Sequence, residues 1–230
     1  RIVSTVDGAA LNVAPIARGL TQPTDIAVVP DGRLLVADRS GIRVITEGRL
    51  LDEPAFAVPQ HDAVLALAVD PDFSRTRFVY LVGVSELPGG KATFWLARFR
   101  EVGDRLGERA ILLDNVPAVA GRAAAALRVG TDGNLYVSFD DGGDTRAAGD
   151  LASFNGKLLR LKADGTTPRD QSPSTPVYVA GFHSPRGVDW NPAVGSLWFA
   201  DADPASKSAR LNSVVEKRGA TARTASIRRS

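Results

Sequence analysis

Apolar residues recur along this chain in short runs that come in pairs, each pair joined by a tight polar turn. Four stretches share this pattern: IAVVPDGRLLVA (26–37), LAVDPDFSRTRFVYL (67–81), LRVGTDGNLYVS (127–138) and VDWNPAVGSLWF (188–199). Each consists of an apolar strand, a turn built on Pro, Asp, Asn or Gly, and a second apolar strand. The turns recur roughly every 40 to 60 residues, a period that predicts a β-propeller, whose blades bury one another's faces.

The spacing of these stretches predicts an all-β fold of about four blades within residues 1–203. The blades are expected, in chain order, at approximately 20–58, 62–115, 123–170 and 176–203. After residue 203 the apolar pattern fades, and residues 204–230 are polar and basic. We interpret this last part as either a basic tail or the start of a further, incomplete blade.

Charge is distributed unevenly along the chain. The net charge of the 230 residues is +2, yet the last fourteen residues contain five basic residues and no acid, namely Lys217, Arg218, Arg223, Arg228 and Arg229. A basic end of this kind attracts anionic partners. Because these arginines are spaced apart, without interleaved aromatic residues, the pattern does not predict a nucleic-acid-binding protein.

The composition excludes several other classes of protein. No run of 18 apolar residues occurs, so we expect no transmembrane segment. The chain contains no Cys, which excludes disulfides and zinc–thiolate sites. It also does not begin with Met, which either a removed secretory signal peptide or a fragment boundary would explain.

Four segments carry a more specific resemblance to a known family. They read GLTQPTDIAVVPDGRLLVADRSGIRVI, LALAVDPDFSRTRFVYLVGVS, LRVGTDGNLYVSFDDGGD and FNGKLLRLKADGTTPRDQSP. In this order they resemble the soluble pyrroloquinoline quinone (PQQ)-dependent glucose, aldose and L-sorbosone dehydrogenases, most specifically from Gly156 to Asp170. The resemblance implies a six-bladed propeller, of which this chain holds only part, with PQQ over the central channel and often calcium beside it.

The resemblance also implies where catalytic residues lie, and here several positions differ from the family. The family's general base is a His, but Arg122 stands at that position. Arginine stays protonated near neutral pH and cannot accept a proton there. An Arg-Asn pair that contacts the quinone in the family is replaced by His183 and Ser184, and Arg186 stands where the family has Gln. We expect these three residues at the cofactor position and Arg122 at the catalytic position.

The remaining candidates are a second histidine and a possible calcium segment. His61, in VPQHDAVLAL, lies near the place of a substrate-side Gln in the family, so we expect it at the mouth of the channel. The family's calcium segment corresponds to FADADPASKSARLN, which offers Asp201 and Asp203 but has Lys207 and Arg210 where acids are expected. Because calcium prefers several negatively charged oxygen ligands, we predict no metal there.

Other aspartates are interpreted as structural. The FDDGGD segment (139–144) matches a "GDxG" turn of the family, and we expect its aspartates to form Asx turns. Asp25, Asp38 and Asp201 recur at similar positions of their blades. We expect these three residues to cap strand ends or turns.

The sequence leaves three functions open. The resemblance implies a PQQ-dependent sugar dehydrogenase acting on an aldose or sorbosone. The altered catalytic positions favour, as an alternative, a catalytically degenerate propeller that binds protein partners through its rim or its basic tail, as a subunit of a cell-envelope complex. A lactone hydrolase is a third reading, although the chain shows no evident ligand set for its metal. The resemblance and the missing Met lead us to expect a periplasmic or secreted protein.

Overall fold

The computed structural model describes residues 2–171, 175–191, 193, 195–203, 208–216 and 225–229, and they form β-strands almost throughout. Strands β1 (Ile2–Ser4) and β2 (Ala10–Asn12) pair with each other as a small antiparallel hairpin. The later strands form four antiparallel sheets that follow one another along the chain. The prediction of an all-β propeller with about four blades is therefore confirmed.

The strands of each blade lie in chain order. The first blade contains β3 (Pro23–Val28), β4 (Leu34–Asp38), β5 (Gly41–Thr46), β6 (Arg49–Leu50) and β7 (Phe56–Ala57). The second contains β8 (Asp62–Val69), the short helix α1 (Phe73–Thr76), β9 (Phe78–Leu87), β10 (Lys91–Val102) and β11 (Arg105–Val119). The third contains β12 (Ala125–Val129), β13 (Leu135–Phe139), β14 (Lys157–Leu161) and β15 (Val177–Ala180). The fourth contains β16 (Pro185–Asn191), β17 (Ser196–Asp203), β18 (Ser208–Glu216) and β19 (Ala225–Arg229).

The boundary between the last two blades differs from the sequence-based expectation. The VYVA run of β15 was expected to open the fourth blade, but it pairs with β14 as the outer strand of the third. The fourth blade instead extends beyond residue 203, because β18 pairs with β17 and β19 pairs with β18. A blade boundary depends on pairing across a long loop, which local strand propensity does not report.

The tight turns of the repeated stretches explain why these segments form hairpins. In the first and third blades, Gly32 and Gly133 adopt φ angles of 89° and 75°, a region that glycine enters without steric cost. The same backbone hydrogen bond closes each turn. Gly32 donates its N–H to the carbonyl of Val29, and Gly133 donates its N–H to the carbonyl of Gly130. The repeated motif is thus a repeated turn geometry.

The hydrophobic core lies between the blades. On β9, Val79 and Leu81 are buried against the first blade, whereas Tyr80 and Val82 are buried against the third. This period-2 alternation buries both faces of the second blade. The fourth blade packs on the third through a separate cluster that includes Phe182.

The first strands of consecutive blades contact one another around the channel. Asp25 on β3 links three of them, since it accepts a hydrogen bond from the backbone of Leu67 on β8 (3.1 Å) and pairs with Arg128 on β12 (2.8 and 3.1 Å). Asp25 therefore bridges blades rather than capping a strand. In the described part of the chain, no helix is long and apolar enough to cross a membrane.

Candidate functional site at the rim of the channel

Loops at one end of the channel surround an open cavity of about 360 Å³. In each blade the first strand begins, and the antiparallel second strand ends, at this same end. The loop after β4, the turn before β12, the loop after β13 and the turn leading into β16 therefore meet here. The charged and polar residues that line the cavity are Arg39, Arg122, Asp140, Asp141, His183, Ser184 and Arg186.

Three guanidinium groups, those of Arg39, Arg122 and Arg186, face this cavity. All three residues are exposed, and none of them forms an ion pair or a side-chain hydrogen bond with any other described residue. Like charges gathered around one concave opening create a positive potential that attracts anions. At the rim, these three guanidinium groups outnumber the two carboxylates, Asp140 and Asp141, that line the same cavity.

His183 and Asp141 form a pair at the edge of the cavity. The imidazole Nδ1 lies 3.2 Å from Oδ2 of Asp141, with the His183 side chain 35% exposed and that of Asp141 14% exposed. The backbone N–H of Asp141 also donates to the carbonyl of His183 (3.0 Å). The third and fourth blades are thus joined at this point through both main chain and side chain.

Asp201 on β17 holds the His183–Ser184 segment in place. Its carboxylate accepts the backbone N–H of His183 (3.1 Å to Oδ1) and of Ser184 (2.8 Å). Burial raises the pKa of Asp201, and the two backbone donors oppose that rise. Asp38 plays the same part in the first blade, where it accepts the N–H groups of Thr21 and Gln22. The predicted capping role is confirmed for both aspartates.

Asp140 is the buried acid of the site. Its carboxylate accepts the N–H of Ala124 (2.7 Å) and the N–H of Gly142 (2.9 Å). Burial raises the pKa of Asp140 to about 6, against the opposing effect of these two donors. Asp141 and Asp144 likewise accept the N–H two residues further on, so the prediction of Asx turns in FDDGGD is confirmed.

Gly156 connects the two loops that carry Asp140 and His183. It donates its N–H to the carbonyl of Asp140 (2.9 Å), and its own carbonyl accepts the N–H groups of Gly181 and Phe182. Its φ angle is 65°, and a Cβ atom there would lie 2.7 Å from the carbonyl oxygen of Phe182. Only glycine allows these backbones to approach so closely.

The structure brings together four of the five predicted site residues. Arg122, His183, Ser184 and Arg186 line the same cavity, although Ser184 is buried and takes part through its backbone. His61 does not line it, since it is an exposed turn residue immediately before β8. Its role at the channel mouth stays a prediction.

Sequence reasoning missed Arg39 as a cavity residue and interpreted Asp140 and Asp141 only as turn formers. Asp141 has two roles, since it forms an Asx turn and also contacts His183, which lies 42 residues further along the chain. The signal that could have found Arg39 is its place directly after the second strand of a blade, as for Asp140 in the third blade.

Among the described residues, no group of three or more His, Cys, Asp or Glu side chains is arranged to hold a metal ion. In the segment that corresponds to the family's calcium segment, the carboxylate of Asp201 accepts backbone N–H groups. Lys207 lies outside the described residues, as do Lys217, Arg218 and Arg223 of the basic tail. The negative prediction for calcium stays a prediction.

Comparisons with known proteins agree with this geometry. The family model for glucose/sorbosone dehydrogenases matches residues 20–217, which is more than half of the chain. The chain belongs to the glucose/sorbosone dehydrogenase family. The match includes the cavity-lining loops of all four blades, so the rim described above is part of the family's propeller.

Individual relatives agree with this family membership. Quinoprotein glucose dehydrogenase B of Acinetobacter calcoaceticus is 24% identical, with 87% of this chain and 50% of the relative covered. A structure from Thermus thermophilus, described as a glucose dehydrogenase, is 29% identical, with a TM-score of 0.77, and covers 88% of this chain and 64% of its own. The PQQ-bound aldose sugar dehydrogenase of Streptomyces coelicolor (20% identity, TM-score 0.69, 95% of this chain and 84% of its own) shares the fold.

The chain spans about half the length of the curated relatives it matches. The relatives therefore contain sequence that has no counterpart in the 230 residues. Membership of the family follows from the match, whereas the activity of the whole protein is a matter for proposal.

Proposed function

We propose that this chain carries the cofactor-facing part of a PQQ-dependent sugar dehydrogenase site. The observation that carries the proposal is the convergence of Arg39, Arg122 and Arg186 on one cavity without ion-pair partners among the described residues. The family match, and relatives named as quinoprotein and aldose sugar dehydrogenases, indicate which anion and which substrate class to test first.

The donor set at the rim fits PQQ, which carries three carboxylates on a planar quinone. A guanidinium binds a carboxylate through two parallel hydrogen bonds and stays charged at any physiological pH. At position 122 the guanidinium excludes a role as base but suits a role as anion contact. The departures from the family pattern at 122 and 186 are thus consistent with a rearranged cofactor site.

When bound, PQQ supplies a two-electron acceptor that takes the hydride from the sugar C–H bond. The residues of this chain would hold it in place. Arg122 and Arg186 approach from neighbouring blades, the third and the fourth, and Arg39 approaches from the first. Because the cavity is open at the rim, a sugar can reach a cofactor seated there from solvent.

Direct titration with PQQ tests the proposal. We expect saturable binding to the purified chain, and we expect Arg122→Gln and Arg186→Gln each to weaken it by about 10-fold, the loss of one charge-assisted hydrogen-bonded contact. Arg75→Gln is the matched control, since Arg75 lies on α1, away from the cavity, and pairs with Asp72 at the surface. Titrations with and without calcium test the negative metal prediction.

Dye-linked oxidation of a panel of aldoses by the PQQ-loaded chain completes the test. Saturable binding with turnover would support the sugar dehydrogenase. Absence of binding at high micromolar PQQ, or equal binding by wild type and Arg122→Gln, would overturn it. The alternative of a protein-binding propeller has no specific observation behind it in the described residues, and the periplasmic or secreted location stays a prediction.

A further inference from the structure

The two histidines of the chain differ in one decisive respect. His183 lines the rim cavity and has a carboxylate 3.2 Å from its Nδ1, whereas His61 is an exposed turn residue outside the cavity. In neutral imidazole one ring nitrogen donates and the other accepts, and the hydrogen bond of the first decides which. A proton on Nδ1 of His183, donated to Asp141, leaves Nε2 as an acceptor.

Nε2 of His183 forms no hydrogen bond with any described residue. The residue that carries it is nevertheless firmly placed. Asp201 accepts the backbone N–H of His183, and the backbone N–H of Asp141 donates to its carbonyl. The residue is therefore held at three points, the backbone N–H, the carbonyl and Nδ1, while its side chain lines the cavity and stays 35% exposed.

We propose that His183 is the proton acceptor of this site, with Asp141 and Asp201 as its positioning residues. The inference rests on the proposed function and deepens it. The hydroxyl proton at the sugar's anomeric carbon passes to Nε2 of His183. The O–H bonding pair would become the second bond of the new carbonyl, and a bound quinone would supply the two-electron acceptor for the C–H hydride. Two electrons and one hydrogen leave carbon, and one proton arrives on imidazole.

The charged groups around His183 are consistent with its role as the proton acceptor. Besides Asp141, the charged residues that line the cavity with His183 are Arg39, Arg122, Arg186 and Asp140. Asp201 lies behind the His183 backbone, whose N–H it accepts. The cations cannot accept a proton near neutral pH. The carboxylates of Asp140 and Asp201 each already accept two backbone N–H groups. Among these groups, His183 has a ring nitrogen, Nε2, without a hydrogen bond to any described residue, at the position where the sequence alone indicated a cofactor contact.

The tautomer of His183 is a test that needs neither cofactor nor turnover. In the ¹⁵N-labelled chain, long-range ¹H–¹⁵N spectra at a pH where both histidines are neutral should show two imidazoles, and His61→Gln assigns them. We expect His183 to carry its proton on Nδ1, and Asp141→Ala, which removes the acceptor, to abolish that preference without shifting the His61 signals. A proton on Nε2 in the wild type, or an unchanged pattern in Asp141→Ala, would overturn the proposal.

Kinetics then separate a base from a cofactor contact. With saturating PQQ, we expect His183→Gln to bind PQQ within about 3-fold of wild type but to lose about 100-fold or more in kcat for aldose oxidation. Asp141→Asn should lose less, and Arg75→Gln should lose nothing. Loss of PQQ binding in His183→Gln with kcat retained at saturation would make His183 a cofactor contact and overturn the proposal.

Different results would overturn the proposed function and the base role of His183. A wild-type chain that binds no PQQ overturns the proposed function, and the base role for sugar oxidation is overturned with it. The tautomer measurement still decides in that case whether the His183–Asp141 pair exists. A chain that oxidises aldoses with PQQ while His183→Gln keeps full kcat overturns only the inference about His183.

Discussion

Arginines occupy two contrasting settings in this molecule. Away from the rim, two arginines with nearly buried side chains are paired with carboxylates. The Arg160 side chain, 2% exposed, contacts both Asp132 (2.7 Å) and Asp170 (2.8 Å). Arg33 contacts the buried Glu101 at 2.8 Å and two further aspartates. At the rim, Arg39, Arg122 and Arg186 face one cavity without an ion pair to any described residue.

Under the proposed function, the difference separates arginines that support the fold from arginines that bind a ligand. Arg160 joins the turn after β12 to the loop after β14, and its neighbouring carboxylates raise its pKa further. Removing it would take the guanidinium contact away from Asp132 and Asp170. Removing Arg122 would leave no acid behind, so its charge has no evident structural purpose. Variants of the paired arginines should then lose stability, and variants of the rim arginines should lose ligand binding.

The largest effect on stability is expected from Arg160→Ala. It removes four hydrogen bonds to two carboxylates and the packing of a buried side chain. We expect a loss of about 2–4 kcal/mol in the free energy of unfolding, below the limit for a fully buried pair because both acids are partly exposed. Urea denaturation measures it. Arg146→Ala, whose side chain is 90% exposed beside Asp144, is the control and should leave the urea midpoint unchanged.

An intermediate effect is expected from the pH dependence of Asp140. Burial raises its folded pKa to about 6 from an ordinary value of 3.8, so between these values the folded state binds more protons than the unfolded state. Stability then falls as pH rises through this window, by about 1–3 kcal/mol at most. Asp140→Asn should remove this slope, as measured by urea denaturation from pH 4 to 7.5.

The sign of this dependence of stability on pH tests whether Arg186 is paired with Asp140. A strong ion pair between Asp140 and Arg186 would depress the pKa of Asp140, so that stability would rise with pH in the same range. A difference curve between wild type and Asp140→Asn that rises with pH would therefore place Arg186 among the paired arginines and remove it from the proposed anion site.

The smallest effect on stability is expected from the rim arginines, whose substitution should weaken PQQ binding. Arg122→Gln and Arg186→Gln should change the free energy of unfolding by less than about 0.5 kcal/mol, because both side chains are exposed and unpaired among the described residues. The same denaturation series measures it, in the absence of PQQ. A loss of about 2 kcal/mol in either variant would mean that the rim arginines support the fold, and the contrast would disappear.

The cavity residues show where sequence reasoning succeeded and where it stopped. Position 183 was recognised because a motif placed it, and the structure does bring it to the cavity. Its partner Asp141 was assigned only a turn, since an Asx turn is a local property that FDDGGD displays by itself. The contact between the two joins loops of different blades, and no local pattern encodes it.

By itself, the sequence determined the strand pairs, their tight turns, the all-β class and the family resemblance. These depend on residues close together in the chain, through period-2 burial and the φ angles that Gly32 and Gly133 permit. Only the tertiary structure decided that β15 closes the third blade, that three arginines share one cavity, and that Asp141 and Asp201 hold His183. Those relations depend on which loops the packing of blades brings together, and packing joins residues that are far apart in sequence.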